Sequence, residues 1–193
     1  MKKGVILFGA ALLIGILLAA FFTRPDPALQ DIPTSQPTRA DIVPPGSVAT
    51  DVVRVSDETK IPQLLQPTST VRKATTSLIS KTCAEGSDRC KLQAIYDFVR
   101  KNYEYVERSV QHTYFQSPAE TLLYGSGDEL ELSMLIVSMN RAAGFDSEVL
   151  QGPYHTIVRT YLGKEEIIAD PSCQGCRFMD VRVSLRGDET VYR

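Results

Sequence analysis

Apolar and polar residues alternate along this chain in three different ways. From Gly4 to Phe22 there is an unbroken apolar run, flanked by Lys2 and Lys3 on one side and by Thr23, Arg24 and Pro25 on the other. As a helix it would span roughly 28 Å, close to the hydrocarbon thickness of a bilayer. From Thr23 to Pro67 no period is visible. From about Ser69 onward the patterning is regular. Apolar residues at Leu92, Ile95, Tyr96, Val99, Tyr103 and Val106 recur in steps of three and four, which predicts an amphipathic helix over residues 89–106. Ser117-Pro118-Ala119-Glu120 reads as a helix start, with an N-cap Ser, Pro at the first position and an acid three residues after the cap. That short helix ends near Gly125. A second helix is predicted from Asp128 to Ala143 with Gly144 as its C-cap; it is apolar on nearly all sides and therefore central. Three strand-like runs follow, over 145–151, 155–162 and 165–169, the last two joined by a turn at Leu162-Gly163-Lys164. Helices first and antiparallel strands after predict an α+β domain.

Composition changes this picture in the middle segment. Eight of the chain's 11 prolines lie between Thr23 and Pro67, namely Pro25, Pro27, Pro33, Pro37, Pro44, Pro45, Pro62 and Pro67. Proline removes donors and extends the residue before it, so residues 23–67 are expected to form a stalk. Only residues 48–55 (VATDVVRV) carry β character, enough to pair with an edge of the domain. The expected organisation is a transmembrane signal-anchor over 1–22, a Pro-rich linker over 23–67 and a folded domain over 68–193. The net charge of −2 argues against a nucleic-acid partner.

The apolar run is longer than the usual signal-peptide core, and Ala19-Ala20-Phe21-Phe22 offers no small-x-small cleavage site. An uncleaved single-pass anchor is expected, with a cleaved signal peptide as the alternative. Lys2 and Lys3 favour a cytoplasmic N-terminus, which would put the domain on the extracytoplasmic side of the cell membrane.

An ordered set of residues gives the domain a family resemblance. Val99 to Tyr105 is followed by Pro118-Ala119-Glu120-Thr121-Leu122, then Gly125-Ser126-Gly127-Asp128, Arg141-Ala142-Ala143-Gly144, His155 and Asp170-Pro171. This series resembles a transglutaminase-like domain of the papain-like cysteine-enzyme fold. The resemblance implies a Cys at the start of the central helix, its thiolate stabilised by the helix dipole and an imidazolium, with a strand-borne His as base and an Asp that orients it. His155 and Asp170 match the last two roles. The first position holds Glu129. A carboxylate is at home at a helix N-terminus but is a poor acyl-transfer nucleophile toward an amide.

The expected function is therefore a membrane-tethered, degenerate domain that binds a peptide or protein partner without catalysis and without a cofactor. The alternative is a peptide hydrolase or acyl transferase using His155 and Asp170 with another nucleophile. The degenerate triad is Glu129, His155 and Asp170. Asp128, His112, Tyr114 and Tyr154 are expected to line the cleft, with Phe115 beside them. Without the resemblance, these residues read as helix-capping acids, a turn Asp and a structural His. Two carboxylates and an imidazole could also hold a divalent cation, but their spacing carries no metal signature. Cys83, Cys90, Cys173 and Cys176 are expected in disulfides. Their pairing is open, and a four-thiolate zinc site or free thiols are the rivals.

Overall fold

A computed structural model describes residues 36–49, 52–83, 86–108, 113–153, 155–173, 176, 178 and 189–193. All of them belong to a unit spanning Pro33–Arg193. The helices are α1 (Arg39–Ile42), α2 (Ile61–Leu64), α3 (Ser69–Thr82), α4 (Asp88–Asn102), α5 (Pro118–Tyr124) and α6 (Glu129–Ala142). The strands are β1 (Glu104–Tyr105), β2 (Ser126–Gly127), β3 (Asp146–Gln151), β4 (Thr156–Leu162), β5 (Glu165–Ala169) and β6 (Thr190–Tyr192).

The centre is α6. Its residues from Leu130 to Asn140 are all buried, and it touches α3, α4, α5, β3 and β4. The main sheet is antiparallel in the order β5-β4-β3-β6, with Val149 opposite Val158 and Val158 opposite Ala169. The β4–β5 turn depends on Gly163, whose φ of 63° lies in the left-handed region that favours glycine. The mixed α+β class is as expected, with the central helix α6 packed on β3 and β4. The elements the sequence pattern does not predict are α1, α2, α3, β1, β2 and β6, and the helix expected over residues 89–106 ends at Asn102, ahead of β1. A second, two-stranded sheet pairs β1 with β2 in parallel, Glu104 opposite Ser126 and Tyr105 opposite Gly127. It ties the end of α4 to the start of α6 and so sets Tyr105 beside the N-terminus of the central helix.

The expected membrane anchor is corrected. Among the described residues no helix is long and apolar enough to cross a membrane. The longest, α4, has 15 residues, or roughly 22 Å of rise, and is amphipathic. The run from Gly4 to Phe22, on which the single-pass anchor rested, lies outside the described residues. Membrane tethering, a membrane partner and an extracytoplasmic location on a cell membrane therefore have no structural support and are withdrawn.

Residues 36–49 and 52–67 also differ from a stalk. Ile42, Val43, Val55, Ile61, Leu64 and Leu65 are buried in the same core cluster as α6. Pro62 sits in the first turn of α2, where its missing N–H costs nothing. Val55 makes a single bridge to Phe115, whose N–H donates to the Val55 carbonyl at 2.8 Å. Arg39 reaches across to the end of α5, its guanidinium donating to the carbonyls of Leu122 and Leu123. Gly125 caps α5 with a φ of 79°, and a Cβ there would stand 3.0 Å from the Arg39 guanidinium carbon.

The cysteines pair locally, Cys83 with Cys90 and Cys173 with Cys176, and none is free.

Candidate functional site

The start of α6 is built by a reciprocal cap. Asp128 is the N-cap; its Oδ1 accepts from the Glu131 N–H at 2.8 Å, while Glu131 Oε2 accepts from the Asp128 N–H at 3.0 Å. Glu131, almost fully buried, also accepts from the Gln116 N–H at 2.9 Å. Burial raises its pKa, assisted by the Asp128 charge and opposed by these N–H groups and Arg108. The Arg108 guanidinium lies over the Phe115 ring at 4.1 Å and donates to Asp128. Asp128 is thus held in the capping architecture, with both carboxylate oxygens engaged.

Glu129 is the first residue of α6 and points toward the sheet and the turn after β5. Its Oε1 accepts from the Ser172 hydroxyl at 3.1 Å, and its carboxylate also accepts from the Thr156 N–H. The same Ser172 Oγ stands 2.7 Å from Asp170 Oδ1. That Asp170 oxygen further accepts from the N–H groups of Ser172 at 2.9 Å and Cys173 at 3.1 Å. One hydroxyl proton cannot serve two carboxylates, so the arrangement holds best when one of them is protonated. Burial pushes the Glu129 pKa up and the Asp170 charge adds to this, while the bonds from Thr156 and Ser172 and the nearby His155 oppose it.

Glu129 and Asp170 are therefore brought together through Ser172. His155 is adjacent but unattached. Its imidazole packs where a Cβ on Gly152 would be, 3.4 Å from Cε1 and 3.5 Å from Nε2, and among the described residues its enclosed Nε2 has no hydrogen-bond partner. Neither a His155–Asp170 bond nor a Glu129–His155 ion pair is formed among the described residues. Tyr114 lies under the Arg54 guanidinium at 5.0 Å, away from the cleft. Phe115 lines the cleft, whereas His112 and Tyr154 lie outside the described residues.

A cleft of about 390 Å³ opens over the N-terminus of α6. Its walls include Glu58, Glu107, Asp128 and Glu129, with Tyr105, Phe115 and Arg108. The Tyr105 hydroxyl has a raised pKa from burial and from the charges of Glu129, Glu107 and Asp128. Among the described residues no group of three or more His, Cys, Asp or Glu is disposed to hold a metal ion. Ser172 and Glu58 are not signalled by the sequence, and Tyr105 enters there only as the end of the Val99–Tyr105 segment, not as a residue of the cleft. Ser172 follows Asp170-Pro171, where an Asx-type turn would predict a polar side chain folding back; Glu58 comes from the proline-rich segment and carries no local signal.

A buried central helix packed on an antiparallel sheet, with His155 just before β4 and Asp170 just after β5, is a mixed α+β arrangement. The family model of the transglutaminase-like superfamily matches residues 76–167, just under half of the chain, and supports a domain of that superfamily there. No curated protein matches the sequence. Among solved structures, the chain is similar to a candidate cysteine protease from Cytophaga hutchinsonii at 21% identity and a TM-score of 0.48. That match covers 61% of this chain and only 43% of the Cytophaga chain. It is also similar to LapG from Legionella pneumophila, at 15% identity and a TM-score of 0.45, covering 62% of this chain and 73% of that one. At these scores the similarities carry no argument about what the chain does.

Proposed function

We propose that this domain does not perform the thiol chemistry of its superfamily and instead holds a ligand bearing an ammonium or guanidinium group in the cleft over α6. The observation that supports this reading is Glu129. A carboxylate stands where the resemblance implies a nucleophilic thiol, tied to Ser172 and Thr156, and all four cysteines are closed in disulfides. Around it, Glu58, Glu107 and Asp128 make the walls acidic, while Arg108, the one cation among the described lining residues, is engaged by Asp128 and Glu131. Tyr105 and Phe115 add aromatic surface suited to the stem of such a group. No membrane tether enters this reading.

The test has two arms on the full chain. Mixed with a fluorescent primary amine and a glutamine-bearing peptide, the wild type should give no transfer. Turnover that disappears in His155→Ala overturns the non-catalytic reading. Titrated with Nα-acetyl-lysine amide, amide signals of Tyr105, Glu129 and Leu130 should shift. The effect should weaken with salt and be reduced in a Glu58→Gln, Glu107→Gln double variant. An equal response to acetate in place of the lysine derivative overturns the ligand class.

A further inference from the structure

The two disulfides occupy contrasting surroundings. Cys83 and Cys90 are 5% and 3% exposed and form a small apolar cluster of their own with Ala94 and Ile79. Their bridge is closed over by Gly86, where an added Cβ would meet the Cβ atoms of both cysteines and Sγ of Cys90 at 3.0 Å. Cys173 and Cys176 are both partly exposed. Attack on a disulfide requires a thiolate to reach one sulfur, so exposure separates the two bridges kinetically. Loop length separates them as well. Cys173 and Cys176 are 3 apart in sequence against 7 for the other pair, and a shorter closed loop constrains the unfolded chain less. The exposed bridge is the weaker staple.

It is also the bridge wired to the site. The Cys173 N–H donates to Asp170 Oδ1 at 3.1 Å, and the neighbouring Ser172 links Asp170 to Glu129. The ring formed by Cys173 and Cys176 therefore begins at the last anchor of the turn that holds Glu129.

We propose that Cys173–Cys176 is a reversible thiol–disulfide exchange site whose state sets the position of Ser172 against Glu129, while Cys83–Cys90 is a permanent structural bridge. The co-reactant is a dithiol. Its thiolate attacks one sulfur of the bridge, breaking the S–S bond and forming a mixed disulfide; its second thiol then displaces the protein sulfur. Two electrons and two protons pass to Cys173 and Cys176, and the dithiol leaves as a disulfide. Opening the ring frees Cys173, whose N–H is one of the donors that Asp170 Oδ1 accepts from, of its covalent tie to Cys176. This inference does not depend on the ligand proposed for the cleft.

The test uses the native full chain, reduced with graded dithiothreitol, trapped with iodoacetamide and mapped by mass spectrometry. Cys173 and Cys176 should be alkylated together at least about tenfold faster than Cys83 and Cys90, as their access to thiolate requires, with the far-UV circular dichroism unchanged. Both bridges opening together, the buried one opening first, or no opening before unfolding each overturn the exchange site. Amide resonances of Glu129 and Thr156 should move on reduction and return on reoxidation. If only those next to the two cysteines move, the coupling to Glu129 is wrong.

Discussion

At Glu129, one carboxyl group decides both chemistry and pH response. Burial raises its pKa above the ordinary glutamate value, with the Asp170 charge acting in the same direction. A folded pKa above the unfolded one means that its protonated form is the stabilising one. That contribution is complete below the unfolded value of about 4.3 and is lost as pH rises through the folded value. Glu129→Gln keeps a neutral group able to hydrogen-bond Ser172. It should therefore leave the urea midpoint at pH 4 nearly unchanged and raise it at pH 7; a lower midpoint at pH 7 would show that the ionised carboxylate is the favoured form. The identity of this residue was legible in sequence, because glycine turn, helix start, His155 and Asp170 follow one another in a recognisable order. Its partner Ser172 was not. A serine after Asp-Pro gains its role only when the turn folds back onto α6, a contact between residues 43 apart in the chain.

Among the elements, the start of α6 and the far side of the sheet are held by buried charge, and each makes a prediction. Asp128 caps α6 and receives Arg108, so Asp128→Ala should cost about 1–2 kcal/mol of unfolding free energy, with Asp128→Asn recovering part of it. Chemical denaturation measures both. On the sheet, Glu148 of β3 is 2% exposed and accepts from Arg159 and Tyr161 of β4 and from Arg193 after β6. Burial opposes its ionisation, but the hydrogen bonds from Arg193, Arg159 and Tyr161 together outweigh it and hold its pKa below the usual glutamate value. A lowered folded pKa stabilises above the unfolded value and is lost as pH falls through the folded one. Glu148→Gln should thus cost about 2 kcal/mol at pH 7 and flatten the acid limb of the stability profile below pH 4.5. An unchanged acid limb would place the acid sensitivity elsewhere. The periodicity that revealed β3, β4 and β5 could not reveal β6. Three residues are too few to show an alternation, and what secures them is Arg193 and pairing with β3, both long-range.

For the unit as a whole, the question is where the domain begins. Proline density makes residues 23–67 read as a stalk, since the local signal is loss of donors and of period. Between Gln36 and Pro67, however, the irregularly spaced Ile42, Val43, Val55, Ile61, Leu64 and Leu65 each find a place in the core, while Val48, Val52 and Val53 stay exposed. Irregular spacing hides such a segment, because it docks on a surface made by other elements and needs no periodicity of its own. The side chains of these six residues are almost wholly withdrawn from water. At about 1.5–3 kcal/mol for each fully buried aliphatic side chain, their loss removes on the order of 10 kcal/mol. The whole net stability of an ordinary domain is about 5–15 kcal/mol. A chain beginning at Ser69 should therefore lose its cooperative urea transition and its near-ultraviolet circular dichroism, whereas one beginning at Pro33 should keep both. If the shorter chain unfolds with the same midpoint and slope as the longer one, residues 36–67 are an appendage and the core is complete without them. The same pair of chains reports on the cleft. Glu58 lines it and Val55 pairs with Phe115 beneath it. Any fold retained by the shorter chain should thus come with weakened response of Tyr105 and Glu129 to the lysine derivative, because part of the cleft wall goes with the segment.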